Sequence, residues 1–319
     1  MKKSLAILLA TYNPRVDWLA ELLQSLNRQT YPHIRLYVRD DASDAVSLQT
    51  IQSLLVTHIT RFPFVLLQNT HNVGSNETFS RLLCDCREEY VAFCDQDDVW
   101  DVEKIANSVT LLEKGPLHPH LVCTNARVID ENGRIVADTV SAYRPRHLLC
   151  RGCGLAERLI YRNFVMGCTV LMARRRALSY LPFPTGVVHD HYLAFRAATE
   201  GAIDFLSTPQ LSYRIWGGNQ TGVLQGIRTK SDYLTQRIEV FSARVQAFRA
   251  SVPLPALDLA ERWCEARKRN FERTKGAAKA LYRLRRVNPS TTWFELIALR
   301  LPAPLFRLAI RAVQRGWLS

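Results

Sequence analysis

The sequence predicts an α/β fold built on a largely parallel sheet, and two observations carry that reading. Short apolar runs alternate with amphipathic helical patterns at βαβ spacing, and polar residues gather where the apolar runs end. Ser4–Ala10 reads as a buried strand, followed by a helix over Val16–Gln29 with Leu19, Leu22, Leu23 and Leu26 on one face. Ile34–Arg39 is a second strand, Ser47–Ile59 a second helix, Phe64–Gln68 a third strand and Glu77–Cys86 a third helix. Strand Tyr90–Cys94 and helix Val102–Glu113 complete this series. Short strand candidates follow at Leu121–Thr124 and Arg127–Asp130, with a turn at Glu131-Asn132-Gly133. Val165–Ala173 reads as another buried strand, His189–Thr199 as a helix, and Ile203–Ser207 with Gln210–Ile215 as a late strand pair. That pair runs into the glycine-rich loop Trp216-Gly217-Gly218-Asn219. In parallel sheets ligands collect at the carboxyl ends of strands. Three such ends are polar here: Thr11-Tyr12-Asn13, Asp40-Asp41-Ala42-Ser43-Asp44 and Asp95-Gln96-Asp97-Asp98.

Composition narrows the class. A chain of 319 residues, 47% hydrophobic and 22% charged, has the makeup of a globular protein with a sizeable core. Eight cysteines without repeating pairs do not form a disulfide framework. His147, Cys150 and Cys153 offer three zinc ligands, but no second paired motif closes a tetrahedral site, so buried thiols in a reducing cytoplasm are expected. Lys2-Lys3 before Ser4–Ala10 imitates a signal peptide, yet Thr11-Tyr12-Asn13-Pro14 ends the run without a small-residue cleavage site. The sequence has no run of 18 apolar residues, so no transmembrane helix is expected. The formal charge of +13 is unevenly placed: residues 227–319 hold 19 Lys+Arg and 7 Asp+Glu, a net of +12, and residues 1–226 are nearly neutral.

Asp95, Asp97 and Asp98 are the sharpest chemical signal. Three carboxylates within four residues repel one another unless a cation or hydrogen bonds compensate, and Mg²⁺ or Mn²⁺ takes oxygen ligands shared with a diphosphate. The plainer reading is an Asp-rich turn before the following helix, where Asp101 already serves as a cap. Asp190, taken alone, is an ordinary acid at a helix N-terminus, favoured by the helix dipole.

Seven segments in register resemble family 2 glycosyltransferases: Ile7–Asn13, Arg39–Asp44, Asn72-Val73-Gly74, Phe93–Trp100, Met166–Met172, His189-Asp190-His191 and Tyr213–Gly222. The resemblance covers about residues 4–222, and the form FCDQDDVW is similar to a branch rich in bacterial rhamnosyltransferases. It implies the GT-A fold, a Rossmann-like nucleotide-binding half (about 1–115) merged with an acceptor half (about 116–226), here with a basic helical C-terminal region over 227–319. It further implies that Thr11, Tyr12 and Asn13 contact the base and ribose of a nucleoside diphosphate sugar, that Asp41 hydrogen-bonds the pyrimidine, and that Asn72, Gly74 and Asn76 line the nucleotide pocket. Asp95 also belongs to that pocket, and Asp95 and Asp97 match the family's metal motif, with Asp98 as a further ligand to Mg²⁺ or Mn²⁺. Asp190 falls at the catalytic base position, where a carboxylate takes the acceptor hydroxyl's proton during an inverting displacement. One departure stands out. Where the branch carries a His facing the metal or diphosphate, this chain has Trp216, whose indole nitrogen donates a hydrogen bond but cannot ligate a metal. Weaker metal binding, compensation by water or His191, and loss of activity are the three consequences open to it, with retained activity favoured by the intact acidic positions.

In the C-terminal region Arg307, Arg311 and Arg315 share a helical face beside Leu308, Ile310, Val313 and Trp317. Arg283, Arg285 and Arg286 adjoin Leu281, Tyr282 and Leu284, with Trp293, Phe294, Ile297 and Leu301 adding apolar surface. Basic amphipathic helices with aromatic residues suit an anionic bilayer surface, although a helical subdomain with a solvated Arg face explains them too. Joined, the two regions lead to an expectation of a cytoplasmic enzyme, peripheral on the inner face of the membrane. It would move a sugar, L-rhamnose from a dTDP donor or another sugar from UDP, onto a lipid-linked glycan in surface polysaccharide synthesis. The competing classes are an impaired sugar-nucleotide-binding scaffold and a nucleic-acid-binding protein. The acidic strand ends oppose the latter, because carboxylate clusters repel phosphates unless metal is bound.

Overall fold

The computed structural model describes residues 2–144, 147–217, 224 and 226–314. Residues 218–223 of the glycine-rich segment, and Arg315 and Trp317, lie outside the described residues. The chain divides into two units, one of residues 1–183 with 188–216 and the other of residues 184–187 with 217–319.

The first unit begins as a Rossmann-like series. β1 (Leu5–Thr11), α1 (Val16–Asn27), β2 (Ile34–Asp40), α2 (Leu48–His58), β3 (Phe64–Gln68), α3 (Ser75–Asp85) and β4 (Tyr90–Cys94) alternate as the periodicity predicts. Ser47 caps α2 by accepting from the Thr50 amide. β1 pairs in parallel with β2 on one side and β4 on the other, and β3 extends the sheet from β2. β1 and β4 are buried almost throughout, because helices cover both faces of a parallel sheet and every side chain must be apolar. Leu19, Leu22, Leu23 and Leu26 of α1 join Ile7, Leu9, Val38 and Ile51 in one core.

The remainder adds antiparallel pairing. β5 (Val99–Trp100), α4 (Lys104–Lys114), β6 (Leu121–Ile129), β7 (Ile135–Ala137), α5 (Val140–Tyr143), α6 (Ala156–Tyr161), β8 (Leu171–Ala173), α7 (Arg174–Ser179), α8 (His189–Glu200) and β9 (Ile203–Arg214) follow. The sheet order is β3-β2-β1-β4-β8-β6-β9-β5, with β7 on β6. β8 runs antiparallel to both β4 and β6, whereas β6 and β9 are parallel.

Three sequence expectations change. The two short strands after residue 120 are the single strand β6, and the late strand pair is the single strand β9. Their apparent breaks are register shifts centred where Asn125 faces Pro209, which has no N–H to give the ladder. The strand expected over Val165–Ala173 is shortened to β8, preceded by a 3₁₀ turn over Gly167–Thr169. There the Gly167 amide binds the Asp190 carboxylate instead of a neighbouring strand.

The second unit is helical, with α9 (Lys230–Tyr233), a π-helical turn (Leu234–Glu239), α10 (Val240–Ser251), α11 (Ala256–Phe271), α12 (Ala277–Arg283), α13 (Pro289–Ala298) and α14 (Ala303–Gln314). Phe306 and Ile310 of α14 pack with Tyr233, Ile238, Ala298 and Leu299, and Trp263 of α11 meets Phe241 of α10 edge to face. No helix among the described residues is long and apolar enough to cross a membrane.

Candidate active site

The strand ends of the first unit converge through their own hydrogen bonds. Asp40, fully buried at the end of β2, accepts from Thr11 Oγ1 at 3.0 Å, from the Ser43 amide and hydroxyl, and from Gln68 Nε2, so one carboxylate ties β1, β2 and β3 together. Asn13, at φ 43°, bonds Asp44 Oδ1 through its amide nitrogen and accepts from the Asp44 and Ala45 amides. Its side chain therefore fixes the loop after β2. Tyr12 stands 46% exposed, while its backbone N–H and C=O are clipped by Gln96 at 2.8 and 3.0 Å. That amide clip joins the end of β1 to the acidic turn after β4.

Asp41 is nearly buried, and its oxygens accept from Asn69 Nδ2 and from the backbone amides of Val73 and Gly74, each at 2.8 to 2.9 Å. It thereby folds the Asn72–Gly74 loop over the start of α3. Gly74, at φ 82°, sits in the left-handed region that favours glycine. Asn72 and Gly74 are exposed. Asn76 points elsewhere: its Oδ1 accepts from the His189 amide at 2.8 Å, capping the first turn of α8.

The acidic turn is the electrostatic centre. Asp95, Asp98 and the Cys168 sulfur offer donor atoms within 4.8 Å of one another. Burial, with the carboxylates of Asp97 and Asp190 nearby, pushes Asp95 up to about 7. Burial first, then Asp97 and Asp95, holds Asp98 well above the usual carboxylate range. Asp98 Oδ1 accepts from the Arg214 amide at 3.2 Å, and Oδ2 is buried with no hydrogen-bond partner. A buried carboxylate oxygen without a hydrogen-bond partner, beside a second carboxylate, fits a divalent cation, whose charge would favour the ionised forms that burial opposes. Asp97 is turned aside from this set, accepting from Trp216 Nε1 at 2.7 Å. Burial raises its carboxyl and that hydrogen bond opposes the rise.

Asp190 opens α8 close enough to add to the charge felt by Asp95. It accepts from the Gly167 amide at 3.0 Å, from Asn163 Nδ2 at 3.3 Å and from the His191 amide. Burial pushes its carboxyl up to about 6 against those three hydrogen bonds. His189 is packed among Phe79, Phe93 and Phe183, and burial lowers its imidazole to about 3, so it stands there neutral. His191 is buried with Nε2 on the Leu159 carbonyl at 2.6 Å.

Several partners carry no legible signal in the sequence. Lys104 is buried with its ammonium 3.1 Å from the Trp100 ring centroid, near Cys94, Cys168, Asp98 and Asp95, and burial brings it down to about 8. Arg214, 1% exposed, donates from Nε to the Asp97 carbonyl at 3.0 Å and from Nη2 to Glu21 at 2.5 Å, and lies over Trp18 at 4.9 Å. Trp18 in turn meets Trp216 edge to face at 5.3 Å. Arg214 lies within the Tyr213–Gly222 segment and Cys168 within Met166–Met172, so position in those motifs is the one hint that could have found them.

The chain is 29% identical over 216 residues to an uncharacterized protein of Mycobacterium tuberculosis, a match covering 66% of this chain and 58% of that protein. The chain thus spans about three fifths of that relative's length. It is 24% identical over 238 residues to the dTDP-rhamnosyl transferase RfbG of Shigella flexneri, covering 70% of this chain and 76% of the other. With the Escherichia coli UDP-Glc:alpha-D-GlcNAc-diphosphoundecaprenol beta-1,3-glucosyltransferase WfgD it shares 23% identity over 192 residues, 59% of this chain and 67% of the relative. Among solved structures, S. aureus TarS 1–349 with UDP-GlcNAc superposes with a TM-score of 0.60 at 18% identity, covering 98% of this chain and 92% of that one. The Pyrobaculum calidifontis mannosyltransferase PcManGT with GDP-Man and Mn²⁺ gives 0.58 at 19% identity, with coverage of 100% and 84%. Both share the GT-A fold, which this sheet order and its flanking helices reproduce. The description Glycosyl transferase family 2 matches residues 6–178, more than half of the sequence and the stretch that contains the acidic turn, and on that match the chain belongs to glycosyl transferase family 2.

Proposed function

We propose that the chain transfers a sugar from a nucleoside diphosphate donor to a hydroxyl of a lipid-linked glycan, with inversion at the anomeric carbon. The observation that carries this reading is the proximity of Asp190, in the first turn of α8, to the Asp95–Asp98 cluster at the end of β4, which supports a base and a cation-binding group side by side. Residues 1–115 serve the donor and 116–226 the acceptor, and 227–319 form a helical region that meets an anionic membrane surface on the cytoplasmic side.

Asp95 and Asp98 would hold Mg²⁺ or Mn²⁺, with Asp97 beside them. The ion, when bound, neutralises charge on the departing nucleoside diphosphate. Thr11, Tyr12 and Asn13 with the Asn72–Gly74 loop receive the base and ribose, and Asp41 orders that loop. Asp190 accepts the acceptor hydroxyl's proton on Oδ1 or Oδ2 as the oxygen attacks. Its raised carboxyl, near 6, makes it a stronger base than an exposed aspartate while leaving it ionised at neutral pH. Similarity to a dTDP-rhamnosyl transferase supports a dTDP sugar, with L-rhamnose first to be tried. Similarity to a diphosphoundecaprenol-directed glucosyltransferase supports UDP sugars as the second group and a lipid-linked acceptor.

A thermal-shift screen of dTDP, UDP and GDP sugars with and without Mn²⁺ tests donor and metal together. A rise in melting temperature for one donor, larger with the ion, followed by turnover of that donor, is expected. Donor hydrolysis and transfer both at background with Mg²⁺ or Mn²⁺ supplied would overturn the reading.

A further inference from the structure

The helical unit contains a buried ion pair that leaves a neighbouring cation uncompensated. Glu295, fully buried on α13, accepts from Arg267 Nε at 2.9 and 3.1 Å, from Arg267 Nη2 at 2.6 Å and from the Tyr233 hydroxyl at 3.0 Å. Arg267 and Arg244 both lie against the Phe241 ring, at 5.4 and 5.6 Å from its centroid. Glu295 is thus saturated by Arg267 and Tyr233. Half-buried Arg244 has neither a hydrogen-bond acceptor nor a carboxylate within ion-pair distance among the described residues, and neither does Arg237, which is exposed. Burial, then the like charges of Arg237 and Arg267, brings the Arg244 guanidinium down to about 10.

The backbone marks the same place. Arg237 lies in the π-helical turn over Leu234–Glu239, and Arg244 follows two turns later on α10. Single π-turns inside helices cost hydrogen-bond geometry and recur at functional sites. Planar guanidinium groups match phosphate oxygens through paired N–H donors, and partial desolvation strengthens such a contact.

We propose that Arg237 and Arg244 form a binding site for a phosphate or diphosphate group carried by a lipid. The site deepens the reading of a lipid-linked acceptor and rests on it for the choice of lipid. The phosphate belongs either to a prenyl diphosphate carrier or to a phospholipid headgroup.

The test uses the full chain in chelator, because a diphosphate also suits the acidic turn when a divalent ion is present. Three probes are titrated: farnesyl diphosphate, inorganic pyrophosphate, and phosphatidylglycerol vesicles set against phosphatidylcholine vesicles. Arg244→Gln and Arg237→Gln are each expected to weaken a phosphate probe by about tenfold, with Arg244→Lys retaining part of the affinity. Loss on farnesyl diphosphate and pyrophosphate assigns the site to the acceptor's diphosphate, and loss on the anionic vesicles alone assigns it to a phospholipid. Arg244→Gln should melt close to wild type, since the lost contact with the Phe241 ring is offset by removal of a desolvated charge that has no carboxylate partner; if it fails to fold, Arg237→Gln and Arg244→Lys carry the test. Unchanged binding of all three probes to the Arg237→Gln, Arg244→Gln double variant overturns the proposal. No donor is present in these titrations, so failure of sugar transfer in the wild-type protein would refute the glycosyltransferase reading without altering their outcome.

Discussion

Raised carboxyls at the acidic turn make two predictions at the scale of single residues. Asp95 near 7 and Asp190 near 6 both hold their protons to higher pH than an unfolded aspartate at 3.8. Between those values the folded chain binds more protons than the unfolded one, so metal-free stability falls as pH rises through the window from about 4 to 7. A divalent ion binds the ionised form and reverses the loss. The increase in melting temperature on adding Mn²⁺ should therefore grow between pH 5 and 7.5; an increase independent of pH would separate the ion from Asp95. For turnover the sign is opposite. A base titrating near 6 must be ionised, so kcat should rise with pH to a plateau above about 7, and Asp190→Asn should cost about 10²- to 10⁴-fold on that plateau and flatten the profile below it. Trp216 allows a sharper test. Its Nε1 holds Asp97 Oδ2, and hydrogen bonds to charged groups contribute about 1.5–3 kcal/mol. Trp216→Phe keeps the ring against Trp18 but removes the bond that favours ionised Asp97 against burial, and the loss of negative charge beside the ion should raise the Mn²⁺ concentration for half-maximal rate about tenfold. Trp216→His, which adds a potential ligand, should lower it. Titration of the rate with metal in both variants checks the pair.

At the scale of elements, the position of Asp190 depends on what seats the start of α8. Asn76 on α3 caps that helix from outside, and Gly167 leaves room for it, since a Cβ there would come within 3.0 Å of His189 Nε2 and 3.6 Å of Asp190 Cβ. Asn76→Ala should lower stability by about 1 kcal/mol and reduce kcat, with the donor KM near wild type. A raised donor KM with kcat intact would instead give Asn76 the nucleotide-lining role that the family resemblance implies. This element also shows how far the sequence could be read. The alternating half, β1 to β4, was legible because each strand is a short apolar run and each helix carries a leucine stripe at 3.6-residue spacing. β6 and β9 each read as two short strands, although register shifts around Asn125 and Pro209 carry one ladder through. The acidic turn and Asp190 were legible from motifs. Arg214, Lys104 and Gln96 were not, because their roles depend on burial and on partners up to 193 residues away, as with Arg214 and Glu21.

At the scale of the molecule, the +12 of residues 227–319 is the feature that composition exposed and the helices now resolve. Arg283, Arg286, Arg307 and Arg311 are exposed, and so are Tyr282, Trp293, Ile297, Leu305 and Leu308, the last 62% accessible. Trp293 stacks edge to face with Tyr282, and Arg285 lies over Tyr282 at 4.2 Å, so aromatic and cationic groups occupy one patch across α12 and α13. Such a patch suits the headgroup boundary of an anionic bilayer, where each basic residue contributes on the order of 1 kcal/mol. Phe306 and Ile310 of α14, by contrast, are 1% exposed and belong to the unit's own core. Deleting the last helix would therefore confuse lost binding with lost folding, and surface substitutions are the cleaner probe. The chain should float with phosphatidylglycerol vesicles at low salt and be released as the Debye length shortens to about 3 Å near 1 M. Trp293→Ser with Ile297→Ser should weaken flotation even at low salt while leaving melting unchanged, because both side chains already face water. Arg283→Gln with Arg286→Gln should weaken it most at low salt, where the electrostatic share is largest. Flotation that ignores both pairs would leave the basic surface as a solvated face and move the membrane contact away from α12 and α13.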